Sequence, residues 1–311
     1  FYTAAGCDST SEVHSYSTAS GKIRHWTRSE SLLVATDISK PRHLTFATSE
    51  GGKAHAWYYS PLNHRYQAPT GELPPLLVMV HGGPTSRCDS ALDYLRQFWT
   101  GRGFAVLDVN HRGSTGYCRE FRQSLQKQWG IFDCIDVAEA VKHVIVNKLA
   151  NPEQVCIRGG SAGGYVVLRA LTLYPDLFAA GACYYGIGNL VTLMEYTHKF
   201  EARYLDGLLG EAYRGKQSDQ PGSPYYDRSP VHDMEKLQSP MIIFQGQEDK
   251  VVPPRLSHEL VDVLGRKGIR HQYVEYPGEG HGFRRKETRI DALEKEAEFF
   301  VSVIGSQGEA G

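Results

Sequence analysis

Residues 154–165 read QVCIRGGSAGGY: an apolar run, then four glycines around a single serine. Glycines after a strand either cradle a phosphate with their backbone N–H groups or let the chain turn sharply enough to push one side chain out. The phosphate readings fail on the residues present. A Walker loop needs Lys followed by Ser or Thr, and neither follows Gly164. A dinucleotide fingerprint needs G-x-G-x-x-G, which is absent from Gly159 onward, and an acidic residue some twenty positions on. That later stretch reads FAAGACYYG (178–186), with no acid in it.

What remains is G-x-S-x-G, as Gly159-Gly160-Ser161-Ala162-Gly163, set between a strand and a helix. The glycines remove the side chains that would collide in a tight strand-to-helix turn, and Ser161 is left with its hydroxyl exposed. A serine hydroxyl is a weak nucleophile. It needs a base, and the base needs an orienting acid. In this architecture the chain order is Ser, then Asp or Glu, then His.

Both partners follow in that order. The strand MIIFQG (241–246) is followed by QEDKVVPP, which offers Asp249 and its rival Glu248. The strand HQYVEYP (271–277) is followed by GEGHGF (278–283), with His281 between glycines. Of the 13 histidines, His281 stands out for that glycine-lined loop after a strand. The expected triad is Ser161, His281 and Asp249. The oxyanion formed on the substrate needs two fixed N–H donors. Ala162, at the helix start, is one, and Gly83, in His81-Gly82-Gly83-Pro84 after the strand LLVMVH (76–81), is the other. His81 reads as a hydrogen-bonding strut of that loop, and Asp136 as a helix-face or supporting residue rather than a catalytic one.

Around these loops the chain alternates strands and helices. FAVLDVN (104–110), QVCIRG (154–159) and FAAGACYY (178–185) join the strands already named. Residues 133–148, 162–173, 255–266 and 287–304 carry helical spacing, and Pro253-Pro254 suits the entry to the third. Continuous apolar strands separated by helices indicate a mostly parallel sheet covered on both faces, with its chemistry at the carboxyl ends of the strands. Segment 186–239 breaks the rhythm and reads as an insertion, with a surface loop at 215–224. The first 45 residues are β-like, with a Ser-Gly-Lys turn at 20–22.

Composition narrows the partners. The 311 residues carry 34 basic and 35 acidic side chains, a balance that gives no reason to expect nucleic acid. No apolar run approaches the roughly 18 residues of a membrane span. The six cysteines lack C-x-x-C pairing, and free thiols in a reducing compartment are expected, hence a cytoplasmic location. The chain begins with Phe, so secretion is left open. The histidines lack metal-ligand spacing, and neither cofactor nor metal is implied.

The stretches HGGPTS (81–86), NHRGSTGY (110–117), RGGSAGGY (158–165), HKFEARYLDGLLG (198–210), DRSPVH (227–232), QGQEDKVVPP (245–254) and GEGHGF (278–283) occur in the order of one known family. Across residues 40–300 the chain resembles the prolyl oligopeptidase family, particularly its acylaminoacyl-peptidase and dipeptidyl-peptidase-like branch. The resemblance implies an α/β-hydrolase domain with Ser161, Asp249 and His281 as triad, preceded by a β-propeller. Only about 40 residues stand upstream, so residues 1–40 are expected to be the last propeller strands and a linker, with the propeller missing from this chain. Residues 41–305 are then the peptidase domain and 306–311 a flexible tail. The chain departs from the family at Cys118, where glycine is usual, and at Val251, where some members carry a substrate-binding arginine. Arg203 is the substitute cation expected to bind substrate, with pairing to Glu201 as the alternative. Tyr165 and Tyr185 are expected to line a specificity pocket; of the pair Tyr184 and Tyr185, strand alternation lets only one face it.

The function expected is hydrolysis of short peptides through an acyl-enzyme on Ser161, releasing acylated amino acids or dipeptides, or acting as an oligopeptidase. A carboxylesterase is the alternative reading, and an inactive α/β-hydrolase-like binding scaffold the second. Self-association into a homo-oligomer is expected where a missing cap leaves apolar surface exposed.

Overall fold

The computed structural model describes residues 1–28, 31–196 and 203–307. Two sheets organise it. β1 (Tyr2–Gly6), β2 (Ser9–Tyr16) and β3 (Ile23–His25) make a small antiparallel sheet, with the Ser-Gly-Lys turn joining the last two. It is tied to the rest through Leu92 N–H, which donates to Gly6 O at 2.8 Å.

The large sheet contains β4 (Arg42–Ala47), β5 (Lys53–Tyr59), β6 (Leu76–Val80), β7 (Ala105–Asn110), β8 (Val155–Gly160), β9 (Ala180–Tyr184), β10 (Met241–Gly246) and β11 (His271–Tyr276). Their spatial order is β11-β10-β9-β8-β6-β7-β5-β4. From β7 to β11 neighbours run parallel, while β4 and β5 pair antiparallel at one edge. The central strands β6 (LLVMV) and β9 (AGACY) read as unbroken apolar runs because helices cover both faces, whereas the edge strand β11 (HQYVEY) does not.

Nine helices are described: α1 (Tyr94–Thr100), α2 (Arg119–Gln123), α3 (Phe132–Val146), α4 (Ala162–Leu173), α5 (Leu190–Tyr196), α6 (Tyr204–Leu209), α7 (Pro224–Asp227), α8 (Pro254–Lys267) and α9 (Lys286–Gln307). One face of the sheet packs on α3, α4, α8 and the 186–239 insertion, whose Leu205, Leu208 and Tyr225 join that core. The other face packs on α1 and α9 through Trp99, Phe299, Phe300 and Val303. α8 shows how local sequence sets such an element. Pro254 opens it, Leu256, Leu260 and Leu264 recur every fourth residue on its buried face, and Gly268 ends it at φ 67°.

The fold is the expected mostly parallel, helix-covered sheet. The main sheet begins at Arg42, next to the expected start of the peptidase domain. At the far end α9 runs through Gln307, with Val303 and Ile304 packed on the sheet. The rest of the expected tail, 308–311, lies outside the described residues. No helix among the described residues is long and apolar enough to cross a membrane.

Candidate active site

Parallel strands bring their carboxyl ends to one edge, and the loops after β6, β8, β10 and β11 meet there. Ser161 sits between the last residue of β8 and the first of α4 at φ 57°, ψ −123°, a left-sided conformation that a serine holds only under constraint. The constraint is close packing. A Cβ on Gly163 would come within 2.3 Å of Val80 O, and one on Gly159 within 2.5 Å of Gly163. β6, the turn and the start of α4 therefore touch through bare backbone. Ser161 N–H donates to Tyr184 O at 3.0 Å, which fixes the turn to β9.

The loops after β10 and β11 converge on this turn. His281 Nε2 lies 2.9 Å from Ser161 Oγ, and His281 Nδ1 lies 2.8 Å from Asp249 Oδ2. The other carboxylate oxygen of Asp249 accepts from Val251 N–H at 2.8 Å and Val252 N–H at 2.9 Å. Asp249 is thus buried and held by its own loop, while Glu248 points to solvent. Of these two neighbours, Asp249 is the one whose carboxylate meets His281. The histidine loop is anchored by the buried carboxylate of Glu279, which accepts from Arg284 N–H at 2.9 Å and Arg285 N–H at 3.0 Å. It crosses β10 at Gly246, where a Cβ would meet Glu279 O at 2.5 Å.

A cavity of about 710 Å³ opens over the serine. Gly83 and Ala162 line it beside Ser161 and His281, where the two expected oxyanion donors would have to be. Ala162 is the first residue of α4, and N–H groups of a first turn have no partner within their helix. The apolar wall comes from Ile187, Leu193, Leu205, Leu208 and Val251, with Trp129 and Tyr204 beside them. Sequence reasoning missed this wall. The spacing of Leu205, Leu208 and Leu209 in YLDGLL marks an amphipathic turn, and that signal was available.

Other expected residues separate by position. The Tyr185 ring stands edge-on to the His281 ring, with centroids 4.9 Å apart, and lines the cavity. Tyr184 is buried on the other side, donating to Glu296 Oε2 at 2.7 Å and stacking on Phe244. Tyr165 does not line the pocket, contrary to expectation. α4 is buried on every face, so Tyr165 lies fully inside the core against Trp129, and its hydroxyl donates to Arg228 O at 2.9 Å. Arg203 is exposed ahead of α6 and is not among the lining residues; Glu201, its alternative partner, lies outside the described residues.

His81 Nε2 lies 2.7 Å from Ser114 Oγ and Nδ1 2.9 Å from Gly82 O, and its ring stacks on His111. Burial holds its imidazole below the ordinary value and drives that of His111 to about 3. Both act as neutral struts. Asp136 takes Arg112 through its N–H at 2.7 Å and its guanidinium at 2.8 Å, bracing the NHRGSTGY loop. All six cysteines are free thiols. Among the described residues one group of metal-type donors converges, Glu12, His14 and His25 on the small sheet, within 4.8 Å of one another.

Several known proteins are similar to this chain. The Prolyl oligopeptidase family profile matches residues 90–307. Dipeptidyl aminopeptidase BIII of Pseudoxanthomonas mexicana is 33% identical over 235 residues, 76% of this chain and 34% of the relative. The acylamino-acid-releasing enzyme of Arabidopsis thaliana is 28% identical over 230 residues, covering 72% of this chain and 29% of the relative. Among solved structures, a Mycobacterium tuberculosis puromycin-hydrolyzing peptidase superposes with a TM-score of 0.90 at 37% identity, over 97% of this chain and 46% of that one. The chain thus spans about a third of the length of these curated relatives.

Proposed function

The chain belongs to the prolyl oligopeptidase family, and on that premise we propose that it is a serine peptidase cleaving short peptides through an acyl-enzyme on Ser161. The observation that carries the proposal is the continuous hydrogen-bonded relay from Ser161 through His281 to buried Asp249 at the mouth of an apolar cavity.

In this reading the substrate's acyl side chain enters the cavity walled by Ile187, Leu193, Leu205 and Leu208. Its carbonyl oxygen turns toward the N–H groups of Gly83 and Ala162. Ser161 Oγ bonds to the carbonyl carbon as its proton passes to His281 Nε2. The tetrahedral oxyanion is held by the two N–H groups. Collapse breaks the C–N bond, and His281 gives the proton to the departing amine. Water then attacks the ester by the same route, restoring Ser161. Asp249 fixes the tautomer and stabilises the imidazolium. Tyr185, against the His281 ring, limits where that ring can turn.

Among the described residues the lining of this cavity carries no carboxylate, and its apolar wall favours an apolar residue at the scissile bond of a short acylated or dipeptidyl unit. The antiparallel sheet of residues 2–25, separate from the large one, supports reading 1–40 as a unit distinct from the peptidase domain. Six free thiols support a reducing compartment, the cytoplasm.

The test is a panel of anilides, N-acetylated and free-amine, ending in Phe, Leu, Ala or Asp before the scissile bond, with a fluorophosphonate probe in parallel. Labelling at Ser161 and preference for Phe or Leu are expected. Hydrolysis of p-nitrophenyl esters with no anilide or peptide cleavage would overturn the peptidase reading in favour of an esterase.

A further inference from the structure

A second cavity of about 800 Å³ lies next to the first, and the two share Gly160 and Tyr185 in their walls. The partition is the Tyr185 ring, edge-on to His281 at 4.9 Å on one side and to Phe283 at 5.5 Å on the other. Gly160 leaves room for it: a Cβ there would stand 3.1 Å from the ring.

The lining of this second cavity is unlike the chain as a whole, which is close to neutral. Six cations and two carboxylates face it. The carboxylates are already engaged. Asp108 takes Arg96 at 2.7 Å, and Asp93 caps α1 by accepting from Leu95 N–H at 2.7 Å. Arg158 takes Glu296 at 2.9 Å beneath the floor. Arg87, Arg284, Lys286 and Arg289 remain, and none pairs with a carboxylate among the described residues. The first turn of α9, which starts at Lys286, faces the same space and adds the positive end of a 22-residue helix.

The placement relative to the triad decides what such charge would meet. The acyl group occupies the apolar cavity beside Gly83 and Ala162, so the amine it leaves behind departs over His281 Nε2. Beyond His281 come Tyr185, then Phe283 and Arg284 on the loop that Glu279 ties down, with Arg87 from the loop after β6 and Lys286 and Arg289 from α9. We propose that this cavity is the leaving-group subsite and that Arg87, Arg284, Lys286 and Arg289 bind the free C-terminal carboxylate of a short leaving peptide or amino acid. The inference rests on the serine peptidase reading and deepens it: the enzyme would favour peptides that end soon after the scissile bond. Several cations around one carboxylate raise both capture rate and affinity, and more strongly at low salt.

Two experiments test it. In the first, kcat/KM is compared for peptide pairs identical except for a free or amidated C-terminus one or two residues past the scissile bond. The acid should exceed the amide by roughly tenfold or more at low salt, with the ratio falling toward one in 1 M NaCl and in Arg284→Ala/Arg289→Ala. A ratio near one for the unmodified chain, or one unchanged in the double variant, overturns the subsite. The second needs no catalysis. Calorimetry on Ser161→Ala should detect the dipeptide Gly-Phe binding, with Gly-Phe amide weaker and with binding reduced by the same double variant. Equal binding of acid and amide overturns the subsite even if Ser161 is labelled and peptides are cleaved. Acid-selective binding by a chain that cleaves no peptide would keep the subsite and remove the peptidase reading.

Discussion

His281 and Ser161 stand 120 residues apart in the chain and 2.9 Å apart in space, Nε2 to Oγ. The contact puts a base within reach of a proton on an otherwise unreactive hydroxyl. Ser161 should therefore be the single serine labelled by a fluorophosphonate. Ser161→Ala should abolish labelling and cost on the order of 10⁶ in kcat, the scale of nucleophile knockouts in serine proteases. Labelling that persists in the variant removes Ser161 as nucleophile.

Asp249 and Glu248 are neighbours with opposite surroundings, one buried on His281 and the other exposed. Asp249→Asn should lower kcat by about 10⁴ with little change in KM, since it offers the imidazole the wrong partner for the required tautomer. Glu248→Gln should change kcat by less than about threefold, as expected of a solvated side chain. The steady-state constants of the two variants decide the matter.

Tyr165 is a core residue in this structure, with its hydroxyl on Arg228 O. Tyr165→Phe leaves a buried carbonyl short of a donor and should destabilise the fold by about 1–3 kcal/mol. Urea denaturation measures that loss. A change in the preference for the scissile residue, with stability intact, would return Tyr165 to the pocket.

Gly163 has no room for a side chain, because a Cβ would sit 2.3 Å from Val80 O. Backbone on both sides of the contact belongs to the core, so relief requires moving α4 away from β6. Gly163→Ala should cost about 3 kcal/mol or more and lower kcat by displacing Ser161. Denaturation midpoint and fluorophosphonate labelling rate should fall together.

Asp133 is fully buried at the start of α3 with neither carboxylate oxygen hydrogen-bonded, and burial pushes its carboxyl up to about 7. An unfolded chain loses that proton near the ordinary value of 3.8. Between those two values the folded state holds more protons, so this group's contribution to stability falls as pH rises from about 4 to about 7 and then levels off. At about 1.4 kcal/mol per unit, the loss is on the order of a few kcal/mol. Asp133→Asn should be more stable than the parent at pH 7.5, with the gap closing toward pH 4.5. Urea midpoints for both proteins at the two pH values supply the comparison; a gap independent of pH would show that Asp133 does not titrate between them.

Much of this molecule is written locally. The glycines around Ser161 allow one tight turn, and the helix read from residues 162–173 is the helix found at Ala162–Leu173. Leucines at every fourth position between Pro254 and Gly268 determined α8 in the same way. Ser161, Asp249 and His281 could be grouped from the sequence because each lies on the loop after a strand, and parallel strands deliver their ends to one edge whatever their order. What the sequence left open needed the sheet itself. Which of Asp249 and Glu248 meets His281 depends on how the two loops fold: Asp249 is buried on Val251 N–H, Val252 N–H and His281, and Glu248 is exposed. Tyr165 looked like a pocket residue because α4's burial on all faces follows from its neighbours, not from its own spacing. Trp129, Leu205 and Val251 share one cavity wall, and Arg87 meets Arg289 across another, only because β9 lies between β8 and β10 while α9 packs against the opposite face. Turns and periodicity depend on nearest neighbours along the chain. Cavities depend on strand order and helix placement, which are fixed by burying the two apolar faces together.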